Sequence, residues 1–68
     1  MKYEAKVICT ADGEGVATFF ADKLADVRDI EKRWRAVYGG HGYAVRVNRL
    51  MRDGDLFVRR VVVYEKAL

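Results

Sequence analysis

Two Asp-Gly steps, Asp12-Gly13 and Asp53-Gly54, flank the one stretch of the chain with helical periodicity, and β-forming runs lie on both sides of each. Asp-Gly supplies the positive φ that tight hairpin loops require, so this punctuation predicts two antiparallel hairpins around one helix. Residues 2–10 alternate, with Tyr3, Ala5, Val7 and Cys9 on one side and Lys2, Glu4, Lys6, Ile8 and Thr10 on the other, the pattern of a half-buried strand. After a turn over Ala11 to Gly15, the run Val16 to Ala21 is rich in β-formers. Asp22 is placed to cap a helix whose apolar positions Leu24, Val27, Ile30, Trp34 and Val37 step by three and four, and Gly39 and Gly40 end it. Tyr43 to Met51 and Leu56 to Glu65 then read as strands joined by a turn over Arg52 to Asp55.

The predicted order is ββαββ, an α+β fold in which a four-stranded, mainly antiparallel sheet carries one helix on one face. A βαββ order, with the helix reaching back to Val16, is the alternative; β-branched Val16 and Thr18 beside Phe19 and Phe20 oppose it. Sixty-eight residues suffice for one small domain and exclude a two-domain enzyme. With 51% hydrophobic and 34% charged residues, the composition is that of a folded unit and not of a disordered tail. The single Cys permits no internal disulfide and no thiolate cluster for zinc. No apolar run has the length of a membrane span and the first residues do not resemble a signal peptide, so the expectation is a soluble cytoplasmic protein.

The net charge of +3 is unevenly distributed. Residues 1–34 hold six basic and seven acidic side chains, whereas residues 35–68 hold seven basic and three acidic, and six of those seven are arginines. Because one helix covers one face of a sheet, the other face meets water or a partner. With Tyr3, Val7, Val45 and Val47 toward the helix, the open side collects Glu4, Lys6, Ile8, Ala44, Arg46 and Asn48, one of Arg59 and Arg60, and one of Phe19 and Phe20. Guanidinium groups pair bidentately with carboxylate or phosphate, which makes Arg46, Arg49, Arg52, Arg59, Arg60 and Asn48 the candidate binding residues. A merely solvated polar face has the same composition.

Catalytic residues are scarce. There is no serine, and Cys9 with His41 is the one nucleophile–base combination, with Cys9 on the apolar side of its strand. Asp12, Glu14, Asp53 and Asp55 are accounted for by turn chemistry. No ligand spacing for a metal and no cofactor motif occurs. Gly39-Gly40-His41-Gly42 follows the predicted helix, whereas phosphate-cradling loops precede one.

These features point to a non-enzymatic module that occupies a protein surface through its arginines. Direct nucleic-acid binding by the arginine-rich second hairpin and a structural homodimer are the alternatives. In size and class, but in no motif, the chain is similar to small phage-encoded inhibitors such as the anti-CRISPR proteins, an analogy that would make it an inhibitor of a nucleic-acid-handling complex.

Overall fold

The structure, a computed structural model, describes residues 2–54 and 57–68. Its elements are β1 (Tyr3–Cys9), β2 (Gly15–Ala21), α1 (Leu24–Tyr38), β3 (Tyr43–Asp53) and β4 (Phe57–Ala67). The four strands form one antiparallel sheet in the order β2-β1-β3-β4, and α1 packs on one face of β2, β1 and β3. This is the expected ββαββ arrangement, and strand β2 removes the βαββ alternative.

Registers explain where the core lies. Ala5 stands opposite Phe19 on β2 and Val47 on β3, and Val7 opposite Ala17 and Val45. Directly opposed residues share a face, so the odd positions of β1 build one apolar surface across three strands. Val27, Ile30, Trp34 and Tyr38 of α1 close over it. Tyr38 meets the Tyr43 ring edge-on at 5.1 Å, which ties the end of the helix to β3.

Two features of the helix differ from expectation. Val37 is 65% exposed, because the buried stripe runs 27, 31, 34, 38 and position 37 falls off its edge. Asp22 does not cap the helix, because Lys23, in an extended conformation and without a side-chain capping bond, occupies the N-cap position. The predicted stop does occur. Gly39 donates its N–H to the Arg35 carbonyl at 3.0 Å, where a Cβ would collide with that oxygen, and Gly40 takes φ +76°.

The second hairpin is longer than predicted, with eleven residues in each strand. β1 pairs with β3 only as far as Tyr3 opposite Arg49, followed by the bond from Leu50 N–H to the Lys2 carbonyl at 2.8 Å. Past that point β3 and β4 continue as a two-stranded ribbon. Gly54, at φ +77°, lies in the predicted turn; Asp55 and Leu56, also assigned to the turn and strand from sequence, lie outside the described residues. Val47 pairs with Tyr64 and Asn48 with Val62, so Val63 is an extra residue in a bulge that reverses the facing of β4 along its length.

Candidate functional site

The six candidate residues do not form one surface. Asn48 stands opposite Glu4, Arg46 opposite Lys6, Arg60 opposite Leu50 and Arg52 opposite Val58, all on the open face. Arg49 stands opposite Tyr3, and Arg59 opposite Met51, on the helix side. Of the two adjacent pairs left undivided by sequence, Arg60 and Phe20 take the open face, since Phe20 pairs with Glu4.

Part of the open face is buried, although the helix lies on the other side. Glu4 is only 2% exposed and Asn48 4%; Ile8 and Ala44, opposed to each other beyond the half-buried Lys6 and Arg46 pair, are buried too. Arg60 reaches Glu4 with two parallel bonds, Nε to Oε1 at 3.0 Å and Nη2 to Oε2 at 3.2 Å, while Asn48 Nδ2 donates to Oε1 at 3.1 Å. Burial pushes the Glu4 carboxyl up, but the Arg60 and Asn48 bonds outweigh it and hold the group below its ordinary value of 4.5. The same bonds from Glu4 raise the Arg60 guanidinium above its usual value. An outward-facing Glu on an alternating strand reads as solvent-exposed. The bonds it accepts from Arg60, 56 residues away, have no local signature.

Arg46 is also engaged, through Nε to Oε1 of Glu65 at 2.7 Å. Arg49, Arg52 and Arg59 make no ion pair with any described residue. All three lie where the β3–β4 hairpin leaves β1, and exposed Met51, Val58 and Val61 lie among them. The ribbon thus carries unneutralised guanidinium groups on both faces, beside apolar side chains.

On the helix side a second buried carboxylate fixes the other end of β4. Glu31 accepts the Tyr64 hydroxyl at 2.8 Å, Lys66 Nζ at 2.9 Å and Arg35 Nη2 at 3.3 Å. Burial raises the Glu31 carboxyl, yet the Lys66 and Tyr64 bonds prevail and hold it below 4.5. Burial and the bond to Glu31 push the Tyr64 phenol up to about 12. Glu31, Tyr64 and Lys66, with residues Arg28, Lys32 and Glu65, line an open groove of ≈ 610 Å³ between α1 and β4. Sequence reasoning missed Glu4, Glu31, Tyr64 and Lys66; the signal available for Glu31 was its place four residues after Val27 and three before Trp34, on the buried stripe.

No three metal-ligating side chains converge among the described residues. Cys9 is half-buried, His41 is exposed, and no hydrogen bond joins them among the described residues. Asp12 accepts the Glu14 N–H at 2.9 Å, the turn role read from sequence. No described helix is long and apolar enough to cross a membrane. No protein-family model, curated protein or solved structure matches the chain.

Proposed function

We propose that the chain is a non-enzymatic module that binds an acidic protein surface with the outer part of its β3–β4 hairpin. The observation that carries this reading is the contrast among its arginines. Arg46 and Arg60 are neutralised within the molecule, whereas Arg49, Arg52 and Arg59 project from the ribbon without a carboxylate from any described residue. Arginines interleaved with exposed Met51, Val58 and Val61 match the make-up of protein interfaces, where an apolar centre gives affinity and charge at the rim steers encounter. Nucleic acid is the less suited anion, because its interfaces are more polar and more densely cationic than this mixed surface.

Fluorescence anisotropy with a labelled peptide of alternating Glu and Leu, run beside a short single-stranded oligonucleotide at low salt, tests the reading. The peptide should bind, and Arg52→Glu with Arg59→Glu should weaken it by about tenfold or more. Tighter binding of the oligonucleotide with a steep salt slope would replace this proposal with nucleic-acid recognition. Absence of binding to either would refute both.

A further inference from the structure

β4 is the last strand of the sheet, so one of its edges faces no other strand over eleven residues. Monomeric proteins usually blunt such edges with charge, proline or covering loops. Here the middle of the strand is Val61-Val62-Val63, all exposed and without proline or charge, and the bulge at Val63 is the one irregularity in its described register. We infer that two copies of this chain pair antiparallel along the free edge of β4, about a two-fold axis near Val62 and Val63, to make one eight-stranded sheet.

Charge selects the occupant and its direction. β4 is basic before the valines, at Arg59 and Arg60; after them it carries Glu65 on the open face and Lys66 on the helix side, where Glu31 already neutralises Lys66 at 2.9 Å. Parallel copies would set arginine beside arginine, whereas antiparallel copies bring the Arg60 end of one strand to the Glu65 end of the other. The bulge at Val63 matters, because it places Arg60 and Glu65 on the same, open face. In an antiparallel seam that keeps the faces aligned they become direct or diagonal neighbours.

Each retains bonding capacity for this contact. Arg60 uses Nε and Nη2 on Glu4 and leaves Nη1, and Glu65 uses Oε1 on Arg46 and leaves Oε2; their side chains are 53% and 44% exposed. The pairing therefore extends two isolated ion pairs into an alternating row, Glu4, Arg60, the partner's Glu65 and the partner's Arg46, repeated by the two-fold. β2, the other edge, is seven residues long and has no charged residue with which to fix a register. The seam uses the backbone edge of β4, while Arg49, Arg52 and Arg59 project from the faces, so this inference stands apart from the function proposed above.

Sedimentation across a dilution series, from about 1 mM to about 1 µM, measures the association by mass action. The expected result is a reversible dimer, weakened by added salt, with amide exchange along Val58–Glu65 slowing as concentration rises. Val62→Lys and Glu65→Lys should each weaken it by about tenfold or more, since each change is counted twice across the two-fold. Both side chains are substantially exposed and outside the core, and circular dichroism confirms that the variants remain folded. A monomer at every concentration, a dimer equally tight in both variants, or concentration-dependent protection on β2 in place of β4 would overturn the inference.

Discussion

Hairpin β1–β2 has seven residues in each strand and meets α1 with Ala5, Val7, Ala17, Phe19 and Ala21, all members of the apolar cluster. Hairpin β3–β4 has eleven in each strand, and among the described side chains of its outer strand only Tyr64 packs against that cluster. Beyond the backbone ladders, which run the length of both hairpins, the side chains hold the first hairpin by packing and the last strand by two buried carboxylates, Glu4 accepting Arg60 on one face and Glu31 accepting Tyr64 and Lys66 on the other. Polar anchorage fixes position with little apolar contact. That is how a strand whose valines remain exposed can still be held in a defined register.

The sharpest way to break this comparison is to damage each mode of anchorage separately. Trp34→Ala removes the largest side chain over the first hairpin and should cost about 3–5 kcal/mol, much of the stability of a domain this small. Urea unfolding followed by circular dichroism checks it, and a loss below about 1 kcal/mol would show that the apolar cluster does not dominate. Glu4→Ala should cost less, about 1–3 kcal/mol, because it leaves the buried Asn48 amide without its acceptor. The pH dependence carries a second signature. Glu4 and Glu31 both titrate below 4.5 in the folded chain, so their contribution is complete above the unfolded value and disappears as pH falls through the folded ones. Glu4→Ala should make the acid-side loss of stability shallower than in the parent chain, and an unchanged slope would mean that Glu31 alone supplies it.

Legibility in the sequence follows the same division. Strand and helix identities were readable because alternation and three-to-four spacing are local, and so were the glycine stop after Tyr38 and the turn role of Asp12. The N-cap failed because Asp22 sits one residue ahead of the position where the chain leaves its extended conformation. The faces of β4 could not be assigned past Val62, since a bulge adds one residue without any mark such as glycine. Composition exposed the arginine surplus but not its partition, which depends on Glu4 and Glu65 meeting Arg60 and Arg46 through register. Charge counting treats the five candidate arginines alike; pairing across the sheet separates Arg46 and Arg60 from Arg49, Arg52 and Arg59.

The helix-side anchor yields the smallest effect and the most specific one. Tyr64 keeps its proton to about 12 because burial disfavours the phenolate, and the hydrogen bond to Glu31 and that carboxylate's charge oppose ionisation further. A group whose folded value is raised stabilises fully below its unfolded value of 10.0 and loses that contribution as pH rises toward about 12. Glu31→Gln removes the negative charge but keeps an acceptor for the hydroxyl, so Tyr64 should titrate closer to 10.0 while the fold survives. Ultraviolet difference titration of the four tyrosines, with Tyr64→Phe to assign the last phase, reads this directly. If the late phase persisted in Glu31→Gln, burial alone would hold the proton, and the second carboxylate would position β4 through Lys66 instead.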